Sequence, residues 1–86
     1  MLSLTNEELF SKVRVISNRY RFKIIELTQN DNPSISSLSK KIGLSYTKCA
    51  DYVTLLENNG LIQKERIGKE TKVRSSIKLF RNGIEF

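Results

Sequence analysis

Two short groups of polar side chains carry the chemistry open to this chain. Ser45, Tyr46, Thr47 and Lys48 follow a glycine turn and open a helix. Arg66, Lys69, Lys72 and Arg74 cluster around Gly68. The first group offers hydroxyls, an ammonium and the free backbone amides of a helix start, which hydrogen-bond to phosphate oxygens or to base edges. Thr47 can meet a thymine methyl or donate a hydrogen bond, and Lys48 can donate to guanine O6 and N7. The second group offers four cations on a hairpin, suited to phosphates or to a minor groove. Tyr52, one turn beyond Lys48, either packs on a sugar-phosphate backbone or sits half in the core. Asp51 repels phosphate, accepts from a cytosine amino group, or points away. Arg19, Tyr20 and Arg21 either touch backbone or form a surface salt-bridge face. The bland reading of both main groups is a solvated helix start and a hairpin whose charges stop its edges from pairing.

Charge favours the first of these readings. The net charge is +6, which suits an acidic partner, nucleic acid first and an anionic membrane surface second. The excess is uneven. Lys64, Arg66, Lys69, Lys72, Arg74, Lys78 and Arg81 face only Glu65, Glu70 and Glu85 after residue 60. Catalysis finds no residues: there is no histidine, no Gly-rich phosphate loop and no carboxylate pair at a motif spacing. One cysteine and no histidine leave no internal disulfide and no ordinary zinc site. No cofactor is expected. Cys49 reads as a buried inert thiol, and a reduced, cytoplasmic setting fits it. No apolar run approaches the ~20 residues of a membrane span, and Met1-Leu2-Ser3-Leu4 does not read as a signal peptide.

These groups need elements to hold them. Thr5 and Glu8 form a capping box, and Leu4 and Leu9 a hydrophobic staple, at the start of a helix that continues through Leu9, Phe10, Val13 and Ile16. Asn18 caps a second helix, Arg19 to Gln29, with Phe22, Ile24 and Ile25 inward. Pro33 closes a loop, and Ile35 can add a short strand beside the wing. Ser36 caps a third helix with Leu38 and Ile42 as core, ended by Gly43 in a left-handed conformation. Ser45 caps the fourth, with Cys49, Val53 and Leu56 inward and Tyr52 and Leu55 flanking. Gly60 stops it. Residues 61–67 and 71–80 alternate as strands around a Gly68-Lys69-Glu70 tip, and Arg81 to Phe86 can begin one last helical turn. The expected fold is α+β, mainly α, with four helices and a two- or three-stranded β-wing. It forms one domain over residues 1–86, with the helix at about 5–17 and the wing at about 61–80.

Four segments carry a family likeness: Arg21-Phe22-Lys23-Ile24-Ile25-Glu26-Leu27, Ile35 through Ser45, Leu56-Glu57-Asn58-Asn59-Gly60-Leu61-Ile62, and Ile77 through Gly83. From Arg21 onward the chain resembles the winged helix-turn-helix transcriptional regulators, in particular small archaeal members like the ArsR and MarR groups. The resemblance implies a sequence-specific regulator of double-stranded DNA, with Ser45 to Lys48 in the major groove and the basic wing on the backbone. Two departures count. Phe80 stands where a Thr usually caps the next helix, so the long C-terminal dimerisation helix is expected to be absent. The Cys and His clusters of metal-sensing members are missing, so metal sensing is not implied. A homodimer is expected, with the first helix as its element because Leu9, Phe10, Val13, Val15 and Ile16 exceed one core face. No motif names an effector. The alternatives are a winged-helix protein-interaction module and a nonspecific, chromatin-like DNA-coating protein.

Overall fold

A computed structural model describes residues 4–80 and 83–85. Four helices come first: α1 (Asn6–Ile16), α2 (Arg19–Leu27), α3 (Ile35–Ile42) and α4 (Tyr46–Asn58). Strands β1 (Ile62–Ile67) and β2 (Glu70–Ser75) then form an antiparallel hairpin. A second small hairpin pairs β3 (Lys78–Phe80) with β4 (Gly83–Glu85).

The caps fix where the helices start. Thr5 accepts from the Glu8 amide while the Glu8 carboxylate accepts from the Thr5 amide, both at 3.1 Å. Those bonds hold the Glu8 carboxyl below the usual carboxylate range. Asn18 accepts from the amides of Tyr20 and Arg21. Gly43 has φ +83°, and the amides of Gly43 and Leu44 both reach the Ser39 carbonyl at 2.9 Å. That left-handed turn is easy for glycine and swings the chain into α4.

One core joins the helices to the hairpin. Ile24, Ile25, Leu38, Cys49, Val53, Leu56, Leu61 and Val73 are fully buried, and each large aliphatic contributes about 1.5–3 kcal/mol by leaving water. Thr28 and Ser75 close the α2–β2 seam: their hydroxyls lie 2.6 Å apart, and the Ser75 amide donates to the Thr28 carbonyl at 3.0 Å.

Five local expectations change. Ser34, not Ser36, caps α3, accepting from the Ser37 amide at 3.1 Å. Starting at Ile35 puts Ile35, Leu38 and Ile42 on one stripe, which the later start would have broken. Ile35 is therefore helical, and the bridge to the wing falls one residue earlier, between Ser34 and Lys72. Phe22 is not inward but 36% exposed. Arg21, Ile24, Ile25 and Thr28 occupy the inner arc of α2 and leave Phe22 at its rim. The long second strand breaks after Ser75. The Ser76 amide donates to the Leu61 carbonyl, and Gln29 binds the Ile77 carbonyl and the Leu79 amide. Finally, Gly83–Glu85 form a strand where a helical turn was expected. Arg81, Asn82 and Phe86, which belong to that same expectation, lie outside the described residues.

Candidate nucleic-acid interface

The glycine turn at Gly43 and the Ser45 cap bring four side chains to one open helix end. Ser45 Oγ accepts from the Lys48 amide at 3.1 Å. The amides of Tyr46 and Thr47 remain at the helix mouth, where the dipole is positive. Ser45, Tyr46, Thr47 and Lys48 are all exposed, while Cys49 directly behind them is fully buried. Burial pushes the Cys49 thiol up, away from thiolate. The helix thus presents hydroxyls and an ammonium outward from a packed base.

Tyr52 is half-buried and belongs to a cluster. The Lys48 ammonium lies 4.9 Å from its ring centroid and the Arg21 guanidinium 5.2 Å. Tyr20 stacks on it, centroids 6.4 Å apart and planes 14° apart. Arg21 Nε also donates to the Val15 carbonyl at 2.6 Å. Tyr52 therefore holds two cations by their attraction to its π-face and links α1 and α2 to α4.

The four wing cations do not share a face. Gln63 pairs with Arg74, Glu65 with Lys72, and Arg66 with Thr71. Residues opposite one another in an antiparallel pair point the same way, and neighbours alternate. Lys72 and Arg74 therefore lie on the outer face, with Gln63, Glu65 and Glu70. Arg66 lies on the face that carries Val73, and Lys69 caps the tip. Lys72 forms an ion pair with Glu70 at 3.1 Å, Arg74 binds Gln63, and Arg66 Nε donates to the Gly68 carbonyl at 3.1 Å.

Two cations not singled out in the sequence lock the assembly. Lys64 reaches Glu57 at 3.4 Å and the Thr54 hydroxyl at 3.2 Å, strapping the wing to α4. Lys12 donates to the Asn59 carbonyl, tying α1 to the end of α4. A Cβ on Gly60 would stand 3.1 Å from that ammonium. These contacts span distances in sequence that no local periodicity signals. Among the described residues no helix is long and apolar enough to cross a membrane. No group of three or more His, Cys, Asp or Glu among them is placed to hold a metal ion.

The family model described as winged helix-turn-helix DNA-binding matches residues 17–63, from the α2 cap through the start of the wing. The chain belongs to that family. No curated protein matches it by sequence. Solved structures share its fold. HlyU from Vibrio cholerae superposes with a TM-score of 0.79 at 16% identity, covering 87% of this chain and 82% of that one. The homodimeric winged helix-turn-helix DNA-binding domain of Mb0332 from Mycobacterium bovis, a possible ArsR-family regulator, gives 0.76 at 16%, covering 88% and 76%. An ArsR-like transcriptional regulator from Rhodococcus sp. RHA1 gives 0.73 at 26%, covering 80% and 63%. The ArsR likeness stands; nothing in these neighbours supports the narrower likeness to archaeal members or to the MarR group.

Proposed function

We propose that this winged helix-turn-helix protein is a transcription regulator that binds specific sequences in double-stranded DNA as a homodimer. One observation carries the reading: Tyr46, Thr47 and Lys48 face solvent at the open end of a helix whose base is fixed by Cys49, Val53 and Leu56. A major groove admits such a helix end. In this reading Ser45 and Tyr46 approach phosphate, Thr47 and Lys48 meet base edges, and Tyr52 steadies Lys48 from behind. Arg66 and Lys69 grip the backbone from the wing tip. Lys72 and Arg74 support them from the outer face, Lys72 more weakly because Glu70 shares its charge. The protein works by binding rather than catalysis, in the cytoplasm and on the nucleoid when bound.

Residues 1–86 act as one domain, and α1 supplies the dimer contact. Val15 and Ile16 enter the core, but Leu9, Phe10 and Val13 stay 42%, 67% and 47% exposed. A lone winged helix covers a small site, and pairing two copies reads two half-sites. The homodimeric state of the Mycobacterium bovis neighbour supports the same view. Selection of bound duplexes from a random pool tests the proposal. It should enrich a motif with two-fold symmetry and half-sites about one helical turn, ~34–36 Å, apart. A pool that stays random through repeated rounds would favour nonspecific coating.

A further inference from the structure

The cations at the free ends of α2 and α3 form a second feature that neither the wing nor the recognition turn uses. Arg19, Tyr20 and Lys23 from the first turns of α2 and Lys41 and Ile42 from the last turn of α3 line a cavity of about 290 Å³. Three of the five are cations, and no carboxylate among the described residues lines it. Lys23 is loosely shared with Glu26 at 3.8 Å, with both side chains about half exposed. Arg19 and Lys41 are exposed and make no ion pair among the described residues. The cavity walls are largely the apolar stems and ring of these side chains, with three cationic heads around them, and such a ring of cations on one flank suits an anion with several oxygens.

Its position in the fold says where the anion comes from. The C-terminal end of α2 is locked to the wing through Thr28 and Ser75. The N-terminal end of α3 meets the wing through the Ser34–Lys72 bridge. The cavity lies at the opposite end of both helices, roughly 13 Å along α2 at 1.5 Å per residue. It also adjoins the reading turn. Lys41 and Ile42 run directly into Gly43 and Ser45, and Tyr20 stacks on Tyr52, whose ring carries the Lys48 ammonium. Cationic ground therefore continues from the recognition turn to the flank remote from the wing.

We propose that this α2–α3 flank is a second backbone clamp. Arg19 and Lys41, with Lys23 and the Tyr20 hydroxyl, take a DNA phosphate on the side of the major groove away from the wing. The recognition turn is then held between two phosphate anchors rather than hung from one. This clamp rests on the DNA-binding reading above.

The test is a salt titration of duplex binding by the full chain, followed by fluorescence anisotropy on a random-sequence duplex. Each phosphate contact contributes about 0.9 to the slope of log affinity against log salt. The Arg19→Gln, Lys41→Gln double variant should lose about 0.9 of that slope, the share of one phosphate, and keep its urea midpoint, since both side chains are exposed. The Arg19→Lys, Lys41→Arg pair should retain the slope. An unchanged slope in the folded Gln variant, with wild type binding normally, overturns the clamp and leaves the DNA-binding reading intact. A wild-type chain that binds no duplex at any salt overturns that reading and the clamp with it. A parallel titration with inorganic phosphate, read by tyrosine fluorescence, separates the sources. Saturable binding abolished in the Gln variant, beside an unchanged duplex slope, assigns the cavity to a free anion and overturns the backbone assignment.

Discussion

Tyr52 joins two helices through one ring. Its ring faces Lys48 and Arg21 at cation–π distances and stacks on Tyr20. The sequence reading left it between a backbone contact and a half-core residue. Two of its partners, Tyr20 and Arg21, lie on α2, so spacing within α4 could not decide. Half-buried and occupied on its faces, it positions Lys48. Cation–π contacts contribute about 0.5–1 kcal/mol at exposed sites. Tyr52→Leu should lower unfolding stability by roughly 1–2 kcal/mol from two lost contacts of this kind, whereas Tyr52→Phe, which keeps the ring, should sit near wild type. Urea denaturation of both variants measures it. Equal losses would mean that the hydroxyl, and not the π-face, holds the cluster.

At the scale of elements, α1 is divided. Its last turn enters the core through Val15 and Ile16, and Lys12 ties it to the Asn59 carbonyl. Its earlier turns hold Leu9, Phe10 and Val13 out to solvent. If those side chains form the dimer contact, Phe10→Lys should convert the dimer to a folded monomer. Light scattering at high micromolar concentration should then read half the wild-type mass, with helical content retained by circular dichroism. A Phe10→Lys protein that remains dimeric removes this face from the interface. Helix starts were legible in the sequence where a second signal singled out the cap, as at Thr5 with Glu8 three residues on and at Ser45 just after the Gly43 turn. The α3 start was not, because Ser34, Ser36 and Ser37 all offer a cap. The choice fell to whichever start let Ile35 reach the core. The break after Ser75 was hidden for a different reason. Residues 71–80 alternate well enough to read as one strand, and the bonds that bend them come from Thr28 and Gln29, nearly fifty positions away. The split of the wing cations over two faces follows from the register of β1 against β2, which the sequence left unset.

For the whole molecule, the helices and the hairpin share one core, so the wing, the recognition turn and the α2–α3 flank are held by one packed body. The wing is tied to α4 by Lys64 and to α2 by Thr28 and Ser75. The fold was legible because glycine turns and helix periodicity are local. The exposed, Ser45-capped start of α4 was legible because its four residues are consecutive. At the α2–α3 flank the sequence marked Arg19 and Tyr20, but not their meeting with Lys41 from a second helix. In the proposed function the first turn of α4 reads bases while cations elsewhere grip the backbone. The direct measurement compares wild type with Thr47→Ala and Lys48→Ala on the selected duplex and on a random one. Lys48→Ala should cost about 1–3 kcal/mol on the selected duplex and clearly less on the random one, with the melting temperature falling by only the few degrees that one lost cation–π contact of about 0.5–1 kcal/mol accounts for. Equal losses on both duplexes for both variants would contradict the account, making α4 a positioning helix and the protein a nonspecific DNA binder.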